Sequence, residues 1–459
     1  MSERNFPGPR SSFIANMRLM LNFNRDMLGA MGAMFRQYGP SVKLQFGGET
    51  TLLTHEPNVM REVLVTQAAK FDKDKDYTDE KRGLARFVGQ GLLTSNGEFW
   101  RQQRKLVAPA LHTRRIEAYA DAMVHYAEAA RAGWRDGQQI RVADAMMQIT
   151  LRIVLRTLFS FEGGAEIETV ARAMDIIQHF SASNNMLPPW WPNWKGRQAD
   201  QATADLDGII YHMIAARRTS GEDNGDLLSM LLLSTTEDGQ RMNDKQVRDE
   251  AVTLFLAGHE TTANTLAWTW YLLAQNPQVA ARLHAELDEV LAGRTPTLAD
   301  LKRLPYTEMV IKESMRLYPP AYAYSRVATD EVNLEGRTIP RGSIVGLLPY
   351  FAQRSPDYWE EPLRFMPERF SAENADKIER YAYLPFGAGP RVCIGNSFAM
   401  MEAQLVLATL AQHFTLELAP GQTEEPSPLI TLVPRHGLPM TLRRRTVQLQ
   451  PAPLEAVPV

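Results

Sequence analysis

The run from Asp244 to Gln275 limits what this chain can fold into more than any other stretch. It holds no proline and one glycine, Gly258, and its apolar residues recur at helical intervals, so it predicts one uninterrupted helix. At ~1.5 Å per residue that helix would extend about 48 Å, long enough to cross a whole domain. From Val252 to Gly258 nearly every side chain is apolar, which predicts burial on all sides and a body of other elements wrapped around it. Into this apolar centre the sequence sets His259-Glu260-Thr261-Thr262. A buried carboxylate is costly without partners, so an internal polar niche is implied. For the threonines taken alone, hydroxyls bonded back to the preceding turn explain the pattern equally well. His259 lies about 100° around the helix from Glu260, which suits packing better than chemistry.

Most of the remaining chain also reads as helix, with Arg115 to Phe159 forming a second long helical stretch that comprises more than one helix. Strand signals are few: Val42 to Thr54 around Gly47-Gly48, Val332 to Leu347 around Glu335-Gly336, and Leu429 to Arg443 around His436-Gly437. They are scattered from one end to the other. A mainly α body with a smaller β-sheet region built from distant segments therefore fits better than the three modules that 459 residues would allow. One domain is expected over 1–448, followed by a disordered, proline-containing tail over 449–459. A formal net charge of −3 gives no broad phosphate-binding surface, so nucleic acid is not an expected partner. The single cysteine excludes an internal disulfide and every multi-cysteine metal site, and it suits the reducing cytoplasm. Near the N-terminus, Arg18, Asn22, Arg25 and Asp26 interrupt the only candidate apolar span, so neither a signal peptide nor a membrane anchor is expected.

That cysteine is Cys393, in Phe386-Gly387-Ala388-Gly389-Pro390-Arg391-Val392-Cys393-Ile394-Gly395, with an apolar helical pattern following from Ser397 to Phe414. The sulfur thus sits where a loop enters a helix. Unpaired N–H groups and the positive end of the helix dipole favour a thiolate there, and Arg391 is expected to add positive charge. Gly389 and Gly395 would let the backbone approach a flat macrocycle. The segment resembles the haem-binding signature of the cytochrome P450 family, whose fixed Phe, Gly, Arg, Cys and Gly all match, and the chain is similar to soluble bacterial members with eukaryotic-like motifs. The resemblance implies the cytochrome P450 fold, one haem-centred domain, with haem b as cofactor, Cys393 as axial ligand, and Phe386, Ala257, Arg391 and Gly395 against the haem.

Other motifs carry the same resemblance. Ala257-Gly258-His259-Glu260-Thr261-Thr262 is similar to the family's oxygen-activation segment, which gives Glu260 and Thr261 the catalytic task of organising water and delivering protons. Glu313 and Arg316, three residues apart on a helix, together with Arg369 in Pro367-Glu368-Arg369-Phe370, resemble the family's structural ion network. Trp100 and Arg104, with Arg326 and Arg391, resemble its haem-propionate partners. Positions matching its pocket segments are Phe87, Val88, Leu93, Ala257, Ala321, Ala323 and Ile430, all apolar. The Pro188 to Trp194 segment resembles the linker between two access-lid helices, as a structural clasp or a point of membrane contact.

The resemblance implies a haem-thiolate monooxygenase, cytoplasmic and monomeric, that inserts one oxygen atom of O2 into a hydrophobic small molecule such as a fatty acid, terpenoid or steroid. No dinucleotide motif or flavin domain is visible, so electrons are expected from a ferredoxin or flavodoxin with its reductase, or another external donor. Arg101, Lys105, Arg114 and Arg115 form a candidate docking face, with a merely solvated charged face as the alternative. Two rival activities remain at this stage: a peroxide-driven peroxygenase, although relatives of that kind carry Arg-Pro where this chain has Glu260-Thr261, and a non-catalytic haem sensor or carrier.

Overall fold

The expected central helix exists with the expected ends. In the computed structural model, which describes residues 5–46, 48–81, 83–182, 194–235, 239 and 241–446, one helix spans Asp244–Gln275. It starts at a reciprocal capping box between Asn243 and Gln246, which satisfies backbone donors that a helix start leaves unpaired. Around it pack the helices Val142–Phe159, Trp194–Ser220, Pro305–Leu317 and Asn396–Ala411. Their apolar faces merge into one large core, where Trp268 and Phe255 of the central helix are fully buried. Burial is not continuous along that helix, however. Val252 to Leu256 are buried, but Ala257 is exposed and Gly258 half-buried, because these small residues form a notch facing an internal cavity.

The Arg115 to Phe159 stretch divides into Thr113–Glu117, Ala120–Ala132 and Val142–Phe159, with a short strand Gln139–Arg141 between the last two. The β structure among the described residues forms four small sheets rather than one. In the largest, the hairpin Ser41–Phe46 and Glu49–Thr54 is joined in parallel by Ile344–Leu347, then antiparallel by Tyr324–Ala328 and Phe71–Asp72. Register is set by alternation, with Val42 and Leu44 buried opposite Leu53 and Thr51. The turn at His436-Gly437 joins strands of different sheets: Leu432–Pro434 pairs with Pro426–Pro428, whereas Pro439–Arg444 pairs with Gln139–Arg141 and Phe414–Glu417. The expected tail over 449–459 and most of the Pro188 to Trp194 segment lie outside the described residues, and Trp194 opens its helix with an exposed side chain. Among the described residues no helix is long and apolar enough to cross a membrane.

The helix Pro305–Leu317 carries a buried ion network that ties the segment before the cysteine loop to the core. Glu313 and Arg316 are both fully buried, bonded through Arg316 Nε to Glu313 Oε2 at 2.7 Å and Nη2 to Oε1 at 2.8 Å. The remaining guanidinium protons go to the carbonyls of Gln353, Pro362 and Arg364. Arg369 donates to Glu313 at 3.3 Å, and the Met366 backbone N–H donates to the same carboxylate at 2.9 Å. Every member is thus satisfied, and removing one strands a charge away from water. Glu313→Ala is expected to lower folding stability by about 3–5 kcal/mol in chemical denaturation. A loss below ~1 kcal/mol would show that the network contributes no more than a surface pair.

Candidate haem site

Cys393 reaches the cavity through a loop whose shape its glycines make possible. Gly387 and Gly389 have φ near +70° and +71°, a region that side-chain-bearing residues rarely adopt. At Gly389 a Cβ would also stand 1.8 Å from the Leu64 carbonyl oxygen, so close packing against the 62–66 helix requires this glycine. At Gly395 nothing in the protein lies within 4 Å of a Cβ position. The Cys393 N–H donates to the Phe386 carbonyl at 2.9 Å, and Gly395 then caps the helix Asn396–Ala411. The sulfur is accessible from the cavity yet enclosed by protein, and this burial pushes the thiol up despite the Gly395 N–H and the Arg104 charge. The cation acting on the sulfur is therefore Arg104, which also donates to the Val392 carbonyl at 3.0 Å, and not Arg391 as expected from sequence proximity.

Four cationic side chains line the same cavity: Lys73, Arg104, Arg326 and Arg391. Among the described residues none of them has an ion pair with a carboxylate. Lys73 and Arg326 are buried; burial, followed by repulsion from Arg326 and Arg391, holds the Lys73 ammonium well below its usual range. Arg391 is brought down to about 10 by burial and by Arg326 and Arg104, while its guanidinium stacks 4.2 Å from the Trp100 ring centre. Arg391 is anchored to Ser95 O and Asn96 Oδ1, and Arg326 to Ser325 O. Asp74 and Asp72 act on these cations through space but form no ion pair with them, so the cluster fits a cofactor that brings its own carboxylates. Lys73 was missed in the sequence because a lone lysine 23 residues before Asn96 carries no pattern; it is placed by the reciprocal bonds between the Lys73 backbone and the Asn96 amide.

The central helix forms another wall with Ala257, Gly258, Glu260, Thr261 and Thr265. Thr261 donates its hydroxyl to the Ala257 carbonyl at 2.8 Å, the back-bonded geometry that the sequence left open. Glu260 is buried and accepts from Gln178 and Thr431; burial moves its carboxyl up to about 7. His259 points away, packed on Phe255 with Nδ1 at 2.8 Å from its carbonyl, and burial lowers it to about 4. Two further carboxylates of this helix hold the 89–96 segment: Asp249 accepts from Gln90 N and Glu250 from Leu92 N, which presents Leu93 to the cavity.

Leu93, Ala257, Ala321, Ala323 and Ile430 line the cavity, as do Trp100, Phe386 and Gly395. Phe87 and Val88 do not. The short helix Ala85–Val88 turns them into the core, where Phe87 meets Phe180 edge-on at 5.7 Å. On the candidate docking face, Arg101 pairs with Glu98, Arg115 donates to Gly225 O, and the Arg114 side chain lies outside the described residues.

A lone cysteine beneath a cation-edged apolar cavity, in a helical body of this topology, defines the haem-thiolate class. The family model described as "Cytochrome P450" matches residues 7–440, and the chain belongs to that family. It is 39% identical over 84% of its length to cyclooctat-9-en-7-ol 5-monooxygenase of Streptomyces melanosporofaciens, covering 84% of that protein. It is 33% identical over 88% of its length to pentalenene oxygenase of Streptomyces avermitilis, covering 90% of that one. The crystal structure of the cytochrome P450DA heme domain superposes with a TM-score of 0.86 at 27% identity, covering 98% of this chain and 99% of the other. This protein is a cytochrome P450 monooxygenase, and membership implies haem, dioxygen, an external electron source and a small-molecule substrate.

The two signature glycines are expected to behave differently. Gly389→Ala should lower the unfolding temperature with or without haem, whereas Gly395→Ala should leave that of the haem-free protein in place. Equal losses in the haem-free state would contradict the assignment of Gly389 to the Leu64 contact.

Proposed function

We propose that this P450 hydroxylates a terpenoid, using electrons from a ferredoxin or flavodoxin and its reductase in the cytoplasm. The observation carrying this reading is the single cavity whose walls bring together the Cys393 sulfur, the four cations and the Glu260-Thr261 turn. Haem b, when bound, supplies the redox chemistry that activates dioxygen. Cys393 would hold its iron through the sulfur; Trp100, Arg104, Arg326 and Arg391, joined by Lys73, would hold its propionates; Phe386, Ala257 and Gly395 would pack near it.

The chain's own groups manage protons and water. One oxygen atom enters the substrate and the other leaves as water, which consumes two electrons and two protons. Glu260, with a carboxyl near neutrality, can take up a proton and give it back at working pH. Thr261, fixed by its bond to Ala257 O, keeps hydroxyl lone pairs available as acceptors beside the cavity. Apolar walls of Leu93, Ala321, Ala323 and Ile430 exclude bulk water, whose uncontrolled proton supply would release peroxide instead of product. The same walls suit a ligand with few polar groups, and the two relatives' names denote an unsaturated alcohol and an alkene.

Pentalenene and cyclooctat-9-en-7-ol are the first compounds to screen by spin-state shift of the ferric protein. With a ligand that shifts it, Thr261→Val and Glu260→Gln are expected to lower product formed per electron pair consumed about tenfold or more and to raise peroxide release. Unchanged coupling in both variants would remove the proton-delivery role, and no shift with any terpenoid would remove the substrate class.

A further inference from the structure

Among the described residues the Glu260 carboxyl takes its two hydrogen bonds from outside its own helix. Gln178 Nε2, on the helix Ala165–Ala182, and the Thr431 hydroxyl, on the segment entering strand Leu432–Pro434, donate to the same oxygen, Oε1. Thr431 in turn accepts from Asn264 Nδ2 at 2.9 Å and lies 3.4 Å from Gln178 Nε2. All four side chains are buried. An ionised carboxylate accepts only, so when Glu260 is ionised the single Thr431 proton is committed to it, and Asn264 supplies the donor that the Thr431 oxygen then needs. The segment bearing Thr431 cannot drift, because Trp268 Nε1 holds Leu432 O at 2.9 Å and Leu432 N bonds Pro320 O at 3.0 Å. Thr431 and its neighbour Ile430 both face the cavity, so the residue that holds the acid also stands beside the substrate space.

We infer that Thr431 and Gln178 are positioning residues that fix Glu260 from two separate elements and set the pH at which it exchanges its proton. The inference rests on the proton-delivery reading of Glu260 given above. Burial disfavours the ionised carboxylate, and the two donors oppose that effect. Other ionisable groups near this acid are Asp175 and His179 on the helix Ala165–Ala182, which act in opposite directions. His259 on its own helix is buried and kept neutral, and Glu402 of the helix Asn396–Ala411 faces Thr262 and is held well above the carboxylate range by burial. None of these replaces a lost donor.

The test is an infrared pH titration of the substrate-bound ferric holoenzyme, with the Glu260 carboxyl band identified by its loss in Glu260→Gln. Thr431→Val, close in shape but without a donor, is expected to move the midpoint upward by about one pH unit, a tenfold change in the ratio of ionised to protonated carboxyl. Gln178→Met should shift it in the same direction, and Thr431→Ser should restore it. The pH dependence of coupling should move in parallel. A midpoint unmoved in both Thr431→Val and Gln178→Met overturns the inference. If Glu260→Gln impairs coupling while these variants leave the titration in place, only the present inference fails. If the titration shifts as expected while Glu260→Gln couples normally, the positioning holds and the proton-delivery reading fails.

Discussion

The structure depends on holding like charges and a sulfur around an apolar cavity where, among the described residues, no carboxylate forms an ion pair with them. Lys73, Arg104, Arg326 and Arg391 come from segments far apart in sequence, and bringing them together costs free energy that the rest of the fold must offset. The compensation is visible in the packing. A core built on the central helix and the helix Val142–Phe159 supplies apolar burial, while the Glu313–Arg316–Arg369 network braces the segment leading to the cysteine loop. A bound group carrying carboxylates turns the repulsion into attraction, so holoprotein formation and site assembly are expected to be one linked equilibrium.

The central helix reconciles two opposed demands. Its burial gives the body its rigidity, yet Ala257 and Gly258 open a notch where side chains would otherwise fill the space. Next to the notch, Glu260 is kept from water but not from hydrogen bonds, and that balance brings its carboxyl near neutrality. Asp249 and Glu250 on the same helix spend their acceptors differently, gripping backbone N–H groups of the segment that presents Leu93. One helix therefore shapes part of the cavity, carries the acid proposed to deliver protons, and grips the segment that presents Leu93.

Features of local origin were legible in the sequence. The ends of the central helix followed from an apolar run without proline, and the 41–54 hairpin from alternation around two glycines. Cys393 stood out because glycines, a proline and a helix start surround it. What escaped was long-range. Strands Tyr324–Ala328 and Phe414–Glu417 went unread because their pairing partners lie far away, and the His436-Gly437 turn looked like a hairpin although its flanking strands belong to different sheets. Apolarity alone cannot separate core from cavity wall, so Phe87 and Val88 were grouped with Leu93 although they point into the core. Nor does sequence distance measure spatial distance: Arg391, two residues from Cys393, stacks on Trp100, while Arg104, on a distant helix, acts on the sulfur.

The proposed function turns on Cys393 as a protein ligand to the haem. The direct measurement is the absorption spectrum of the reduced protein under carbon monoxide, compared with that of Cys393→Ala produced with ample haem. Loss of the strongly red-shifted band in the variant, with the band present in the parent, is the predicted result. A variant that keeps the band would contradict the account at its root.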